Sequence, residues 1–207
     1  MRRKNLITLL LAALVCLSFT HSARYHRVKF VYDGDTILID TGEKVRYLGI
    51  DTPEIGHEGK KSQFMAFAAR NFNRQLVGDA LVRLEFDREK KDHYGRTLAY
   101  VFLENGEMVN AAMIRKGYAH VLLKWPNFKY RSLLLAYQRE AMRKRIGIWR
   151  YKTKKPEPYY IGSSSSYRFH RPSCPFAKKI PPHHIVRFST RYQAFWEGFS
   201  PCRECNP

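Results

Sequence analysis

Four carboxylates lie in two short turns of the sequence, at Asp33, Asp35, Asp51 and Glu54. Aspartate favours turn geometry, so any one of these acids alone indicates no more than an exposed turn. Together they are more informative, because two neighbouring strands would each bring carboxylates to their ends. Such a concentration of hard oxygen ligands suits Ca²⁺ or Mg²⁺. Pro53 also pushes Thr52 towards an extended backbone, which aims the Thr52 carbonyl at the same ion.

Two arginines are candidates to join these acids. Arg46 precedes the second acidic turn, and Arg96 directly follows a Tyr94-Gly95 turn. Two planar, permanently charged guanidinium groups match a phosphate, especially one that gains charge in a transition state. The alternative is a pair of ordinary surface arginines. Arg46 and Asp51 have opposite parity, so they share a pocket only if their strand twists, bulges or ends before Asp51.

A third group of side chains, which could bind a metal, lies near the C-terminus at His170, Cys174, Cys202 and Cys205. The spacing is H-x3-C, then 27 residues, then C-x2-C. One imidazole and three thiols suit tetrahedral Zn²⁺, and a small module would gain much of its stability from that ion. The alternative in an oxidising compartment is a Cys202–Cys205 disulfide that leaves Cys174 free.

Five strands and three helices are predicted to position the acids and arginines. Composition predicts strands at 27–32, 37–40, 44–50, 81–87 and 97–103. Apolar spacing and glycine stops predict helices at 62–77, 109–116 and 130–145. A strongly curved antiparallel sheet of five strands predicts a β-barrel plus helices, an α+β fold with a five-stranded Greek-key barrel of the OB type.

The predicted barrel domain, residues 24–149, ends where the composition changes. Residues 150–158 read "RYKTKKPEP", which is basic, contains two prolines and lacks apolar periodicity. This composition is typical of a linker. Residues 159–207 then form a second, small module that carries the cysteines.

The first 23 residues are predicted to be a signal peptide. A basic front is followed by a 14-residue apolar run and by small polar residues. The run is short for a membrane span, although an uncleaved N-terminal anchor is the alternative. We therefore expect a secreted, periplasmic or cell-surface protein with no stable membrane partner after signal cleavage. Without the three basic residues of this segment, 34 cationic residues stand against 18 acidic ones, an excess that favours capture of a polyanion.

Three motifs in this order, "YDGDT", "VRYLGIDTPE" and "DHYGRTLAYV", closely resemble the staphylococcal nuclease (thermonuclease) family. The similarity extends from about Val28 to Trp149 and includes "MVNAAMIRKGYAHV". The resemblance implies an OB-type barrel with helices and Ca²⁺-dependent cleavage of DNA and RNA at the 5′-oxygen, leaving 3′-phosphates. We also expect a preference for single-stranded or denatured substrate and a monomeric state.

The same resemblance implies a role for each matching residue. The Ca²⁺ ligands would be the carboxylates of Asp35 and Asp51 and the carbonyl of Thr52. Glu54 would be the general base on a water that attacks phosphorus, while Arg46 and Arg96 would bind the phosphate and stabilise the pentacoordinate state. Tyr94 would contact a substrate phosphate. His93 stands where the family often has lysine, either as a modest phosphate contact or as a solvated turn residue.

The sequence departs from the family pattern after the second helix. The substrate-stacking tyrosines of the family have no clear match, and "HVLLKWPNFKYR" offers Trp125, Phe128 and Tyr130 instead. The rival interpretation of the chain is a nucleic-acid-binding protein without catalysis on a nuclease-like fold. Retention of every expected catalytic position favours the enzyme.

The C-terminal module is predicted to be a zinc-ribbon-like or Ada-like α/β unit. Its spacing resembles the zinc module of Ada-type DNA methylphosphotriester repair proteins, whose pattern is four cysteines. His170 stands in place of the first cysteine, which is the methyl acceptor in that family. An imidazole cannot replace a thiolate in that chemistry, so methyl transfer is disfavoured. A structural or nucleic-acid-binding role remains.

Overall fold

The computed structural model of the protein describes residues 24–56, 58–150 and 155–207. The predicted signal peptide, 1–23, and part of the predicted linker, 151–154, lie outside the described residues, so these assignments and the domain boundaries stay predictions. Within the described ranges, no helix is both long enough and apolar enough to cross a membrane.

The first unit is built on seven strands: β1 (Tyr25–Val31), β2 (Thr36–Ile39), β3 (Lys44–Tyr47), β4 (Ile50–Asp51), β5 (Leu81–Glu85), β6 (Thr97–Leu103) and β7 (His120–Val121). Five of them close into a barrel in the order β1-β2-β3-β6-β5. The β3–β6 pair is parallel and the other barrel pairs are antiparallel. The predicted five-stranded barrel is confirmed, although its sheet is not antiparallel throughout.

Three helices accompany the barrel: α1 (Ala66–Val77), α2 (Val109–Arg115) and α3 (Arg131–Arg143). The helix predicted from residue 62 begins at Ala66, because Met65 takes a left-handed backbone conformation with φ of 70°. A left-handed residue cannot continue a right-handed helix. A short 3₁₀ turn, Gly147–Arg150, follows α3.

The strand predicted at residues 44–50 is broken in two. β3 ends at Tyr47, and β4 pairs antiparallel with β7 outside the barrel. Gly49 lies between them at φ of 75°, where a Cβ would come within 2.7 Å of Leu134 Cδ1. The Leu48 amide donates to the Ala99 carbonyl at 2.9 Å, so the turn is held against β6. The prediction of one continuous strand was therefore wrong, because a left-handed glycine redirects the chain.

The C-terminal module contains a four-stranded sheet and one short helix. The strands are β8 (Tyr160–Ser163), β9 (Arg168–His170), β10 (Ile185–Phe188) and β11 (Ser200–Pro201), and the helix is α4 (Arg191–Trp196). The sheet order is β10-β8-β9-β11. Its small core is aromatic and includes Tyr160, Phe169, Phe188, Phe195 and Phe199. This unit is the small C-terminal α/β module that the sequence predicts.

The module packs directly against α3 of the barrel unit. Gln138 of α3 is fully buried; its Oε1 accepts from the Val121 amide at 2.6 Å and its Nε2 donates to the Phe195 carbonyl at 2.5 Å. The Trp149 and Phe195 rings meet edge to face with centroids 5.1 Å apart. Gly198 leaves room for Leu135, which a Cβ would approach to 2.9 Å. One buried amide therefore connects β7, α3 and α4.

Candidate active site

Arg46 lies at the centre of the acidic site and is only 7% exposed. Its Nε contacts Asp35 Oδ1 at 3.0 Å, and its Nη2 contacts Asp51 Oδ1 at 2.7 Å. Its Nη1 donates to the carbonyl oxygens of Tyr47 and Ile50, at 2.7 and 2.9 Å. Arg46 and Asp51 share a pocket because β3 ends at Tyr47 and the following turn reverses the alternation of side chains.

Asp35 is held at the start of β2 by hydroxyl and amide donors. Its Oδ2 accepts from both the amide and the hydroxyl of Thr52 at 2.8 Å. A Cβ on Gly34 would lie 2.7 Å from the Thr52 side chain, so only glycine allows this close approach. Burial raises the pKa of Asp35 to about 7, because Arg46 and Thr52 offset the lost hydration only in part.

Asp51 and Glu54 differ in exposure although they lie in one turn. Asp51 is buried, and its Oδ2 lies 3.9 Å from His120 Nε2 on β7. Burial disfavours its charge, but Arg46 and His120 outweigh burial and lower the pKa of that carboxyl. The Glu54 side chain is 55% exposed, and its backbone is fixed by Gln63, whose Oε1 accepts from the Glu54 amide at 2.9 Å. Burial raises the pKa of Glu54 above its ordinary value.

Arg96 reaches the site from the turn before β6. The parallel register of β3 and β6 pairs Val45 with Thr97, which places Arg96 beside the start of β3. Asp92 holds the arginine, since its Oδ2 accepts from Arg96 Nε at 2.8 Å. Tyr94 is 73% exposed, and the Arg96 guanidinium lies 5.4 Å from its ring centroid. Arg96 is therefore oriented by a surface turn rather than buried as Arg46 is.

These side chains surround an open cleft of about 400 Å³. Its lining residues are Asp33, Asp35, Lys44, Arg46, Glu54, Tyr94, Arg96 and Arg203. Asp51 and Thr52 lie immediately behind this lining, in contact with Arg46 and Asp35. His93 does not line the cleft; its ring lies tilted against that of Tyr94, with an interplanar angle of 42° and centroids 3.8 Å apart. The structure thus brings together the site residues predicted from the sequence, apart from His93.

The donor set of this cleft fits a hard divalent cation. Carboxylate oxygens of Asp35 and Asp51 lie on either side of Arg46, and Asp33 and Glu54 line the same cleft. Besides burial, the like charges of Asp33 and Asp51 raise the pKa of Asp35. A bound cation would relieve this surplus of negative charge, and carboxylate and carbonyl oxygens are the ligands that Ca²⁺ prefers.

The predicted aromatic substitutes are not equivalent in the structure. Trp125 is 72% exposed and free to meet a base. Phe128 and Tyr130 pack against the barrel core, and the Tyr130 hydroxyl donates to Glu85 at 2.6 Å. Of the three, Trp125 is the ring that can stack on a substrate.

The four predicted zinc ligands form one cluster in the C-terminal module. The ligand atoms of His170, Cys174, Cys202 and Cys205 all lie within 4.8 Å of one another. The three thiols are free, and Cys174 Sγ lies 3.5 Å from His170 Nδ1. Burial and the neighbouring sulfurs raise the pKa of Cys205 to about 12. One nitrogen and three sulfur ligands at these separations fit a tetrahedral metal such as Zn²⁺.

The sequence reasoning missed two basic residues that line the acidic cleft, Lys44 and Arg203. Arg203 is the more informative of the two. It lies between Cys202 and Cys205, yet its Nη2 contacts Asp51 Oδ1 at 3.1 Å and Glu54 Oε1 at 3.0 Å. The Cys-x2-Cys spacing predicts only that such a residue lies near a candidate metal site. Nothing in the spacing shows which surface that residue will meet, because the docking of the module determines it.

Comparison with known proteins agrees with this geometry. A family model described as staphylococcal nuclease homologue matches residues 44–151. The chain belongs to the staphylococcal nuclease family. A thermonuclease of Staphylococcus intermedius is 46% identical over 125 residues, which cover 59% of this chain and 74% of the relative. A thermonuclease of Staphylococcus hyicus is 37% identical over 127 residues, which cover 60% of this chain and 75% of the relative.

A third relative in the comparison is the endonuclease YncB of Bacillus subtilis. It is 38% identical over 122 residues, which cover 56% of this chain and 57% of the relative. These matches confirm the prediction that the chain is an enzyme, a thermonuclease-like nuclease of the staphylococcal nuclease family. The family match ends at residue 151 and leaves the likeness of the C-terminal module to Ada-type domains a prediction.

Proposed function

We propose that the chain is an exported, Ca²⁺-dependent phosphodiesterase that cleaves DNA and RNA at the 5′-oxygen and leaves 3′-phosphates. The observation that carries the proposal is the buried Arg46, joined to Asp35 and Asp51 at the edge of a cleft that also presents Glu54 and Arg96. An acid cluster for a cation and two guanidinium groups for a phosphate are thereby combined in one opening.

The Asp35 and Asp51 carboxylates, with the Thr52 carbonyl, would hold the Ca²⁺ ion. Bound there, the ion would supply positive charge that polarises a phosphoryl oxygen. Thr52 suits this role because its side chain and amide already fix Asp35, which restrains both ligands. Gly34 keeps that contact close.

Glu54 is the proposed general base. Its carboxylate faces the cleft from a fixed backbone, and its raised pKa makes it a better proton acceptor than an ordinary glutamate. Glu54 takes a proton from water as the water oxygen bonds to phosphorus. The bond from phosphorus to the 5′-oxygen then breaks, and that oxygen takes a proton from solvent.

Arg46 and Arg96 are proposed to stabilise the charge that builds on the phosphoryl oxygens. Arg46 is preorganised by its carboxylate and carbonyl partners, so little reorganisation is required during the reaction. Arg96 has a single carboxylate partner on a surface turn and can adjust to the substrate. Exposed Tyr94 and Trp125 would meet unpaired bases or phosphates, which supports a preference for denatured nucleic acid.

For the C-terminal cluster we propose structural Zn²⁺ held by His170, Cys174, Cys202 and Cys205, in an Ada-like module without methyl transfer. The module core is small and aromatic, so a metal would add stability that its apolar contacts alone do not supply.

The deciding experiment measures initial rates on denatured DNA with Ca²⁺ and in buffer freed of Ca²⁺. We expect cleavage only with Ca²⁺, and a fall in kcat on the order of 10³-fold for Glu54→Gln. Glu58→Gln, an exposed acid in the same loop, is the matched control and should keep wild-type rates. Binding without Ca²⁺-dependent cleavage by the wild-type chain would favour the rival nucleic-acid-binding protein.

Export has its own test, because it rests on residues outside the described structure. Expression of the full chain in a bacterial host, followed by fractionation, should place the protein outside the cytoplasm with the first 23 residues removed. A product that retains Met1 and sediments with membranes would indicate the anchor instead.

A further inference from the structure

Arg203 connects the C-terminal module to the nuclease cleft. Its guanidinium contacts Asp51 Oδ1 at 3.1 Å and Glu54 Oε1 at 3.0 Å. It also lines the cleft together with Lys44, Arg46 and Arg96. A third arginine therefore lies in the proposed phosphate site, and it comes from a different unit of the chain.

The backbone around Arg203 is held in place from both sides. The Cys202 amide donates to the Phe169 carbonyl at 2.9 Å, and the Asn206 amide donates to the Cys202 carbonyl at 3.0 Å. Arg168 Nη1 donates to the Pro201 carbonyl at 3.0 Å. Since Cys202 also belongs to the thiol cluster, the same residues that would bind a metal hold the base of the Arg203 side chain.

The docking interface brings this segment to Asp51 rather than to another surface. Asp51 lies on β4, which pairs with β7, and Gln138 joins β7 to the Phe195 carbonyl of the module. The His120 ring of β7 lies 5.3 Å from the Phe195 ring, centroid to centroid. The contact of Arg203 with the acids is therefore set by a buried interface.

Two roles are compatible with this position: a plug that shuts the acid site, or a donor to substrate phosphate. The Arg203 side chain is 65% exposed; its partner Glu54 is 55% exposed, and its partner Asp51 is buried but already paired with Arg46. Ion pairs of a cation this exposed shift an equilibrium by about fivefold or less, which is too weak to keep a cation or a polyanion out. The same weakness lets the guanidinium leave the carboxylates for a phosphate, which it matches in charge and shape.

We propose that Arg203 is a substrate-binding residue of the nuclease: a third guanidinium, supplied by the C-terminal module, that contacts a phosphate of the bound single strand. The inference rests on the proposed function, because it assigns the substrate of the same cleft. In this arrangement the Cys/His cluster serves the nuclease by holding Arg203 over the cleft.

The first test measures binding of a fluorescein-labelled single-stranded oligothymidylate by anisotropy at several salt concentrations. The buffer is freed of Ca²⁺ beforehand by a resin, because an added chelator would also strip the thiol cluster. Arg203→Ala should bind about tenfold more weakly. Its slope of log K against log salt should fall in magnitude by about 0.7, the value for one lost phosphate contact on a single strand.

Two further variants separate this contact from general charge and from folding. Arg203→Lys keeps the positive charge but lacks the planar guanidinium group that can donate two hydrogen bonds to one phosphate. This variant should keep the salt slope and lose part of the affinity. Arg187→Ala removes an exposed arginine from β10, the opposite edge strand of the same sheet, and should keep both slope and affinity. Because Arg203 is exposed, its variants should melt like the wild type.

Kinetics with Ca²⁺ supply the second readout, in which Arg203→Ala should raise KM about tenfold and change kcat much less. Binding and KM equal to those of Arg187→Ala would overturn the proposal. Faster cleavage with tighter Ca²⁺ binding by Arg203→Ala would overturn it in favour of a plug. If the wild type does not cleave DNA but Arg203→Ala shows the expected smaller slope of log K against log salt, the proposed catalysis fails and the phosphate contact stands.

Discussion

The acidic cleft and the thiol cluster are both built from ionisable groups, but they are neutralised in different ways. In the cleft, Asp35 and Asp51 are paired with a buried arginine and hydrogen-bonded by Thr52. In the cluster, the sulfurs contact one another, His170 and backbone amides. The barrel therefore shapes its site with its own cations, whereas in the module the proposed Zn²⁺ would supply the positive charge.

On the proposed assignments, Ca²⁺ in the cleft would serve the chemistry and Zn²⁺ in the cluster would serve folding. Loss of Ca²⁺ from the cleft would leave an intact barrel whose acids are still paired. Loss of Zn²⁺ from the cluster would leave three crowded thiols in a module with a small core. Three predictions test this contrast between the two sites, and they are ordered by the expected loss in free energy of unfolding.

The largest effect is expected for removal of zinc from the C-terminal cluster. Structural zinc sites contribute apparent binding energies on the order of 10 kcal/mol, which appear as folding energy of the module. Metal analysis should find one zinc per chain. Chelation should then abolish the near-ultraviolet circular dichroism of the module's aromatic core.

The matched control removes Ca²⁺ instead of zinc. The protein is exchanged into resin-treated buffer, which removes Ca²⁺ and leaves tightly bound zinc in place. That treatment should stop cleavage and leave the melting curve nearly unchanged. A purified protein that contains no zinc and carries a Cys202–Cys205 disulfide would contradict the contrast between the two sites.

A smaller effect is expected for the two arginines of the cleft, which should differ in stability. Arg46→Ala leaves Asp35 and Asp51 buried without their cation, and should cost about 3–5 kcal/mol. Arg96→Ala removes a partner that is 30% exposed from Asp92, whose carboxylate keeps the amides of Tyr94 and Arg96 as donors, and should cost less, about 1 kcal/mol. Urea unfolding measures both, and kcat should fall about 10²–10³-fold in each.

Equal loss of stability in the two variants would show that Arg46 is not the buried counter-ion of this site. Added Ca²⁺ should restore part of the lost stability of Arg46→Ala, because the ion replaces the missing positive charge. No such rescue is expected for Arg96→Ala.

A smaller loss of stability than that of Arg46→Ala is expected for Gly34→Ala. The new methyl group would meet Thr52 at 2.7 Å and displace the residue that fixes Asp35. Overpacking of this kind costs about 1–3 kcal/mol, and we expect weaker Ca²⁺ binding by titration calorimetry. Gly106→Ala, at φ of 83° with open space around it, is the control. It should lose some stability through backbone strain and keep its Ca²⁺ affinity.

Much of the cleft could be predicted from the sequence because its chemistry is concentrated in short motifs. The acids of the two turns, Arg46 and Arg96 lie at strand ends, and strands can be recognised from composition. The cysteine spacing likewise predicted four atoms that the structure places within 4.8 Å of one another. In both cases the informative residues are neighbours in the chain or belong to a known spacing.

The features that could not be predicted depend on long-range packing. The break after Tyr47 follows from the left-handed Gly49, which packs against Leu134, a residue 134 − 49 = 85 positions further along the chain. The approach of Arg203 to Glu54 follows from the docking of a second unit through Gln138. No local pattern encodes which surfaces of two units will meet, so nothing in the sequence assigned Arg203 to the cleft.

The turn between β3 and β4 also limits which changes of chain length this site can accept. Arg46 and Asp51 point into one pocket because the Leu48-Gly49 turn reverses the alternation between them. A single inserted or deleted residue there would shift the side chains of β4 to the opposite face, and Asp51 would turn away from Arg46. Many side-chain substitutions at Leu48 would be milder than one added residue of any type. For this nuclease, the number of residues between the arginine and the aspartate is itself part of the active site.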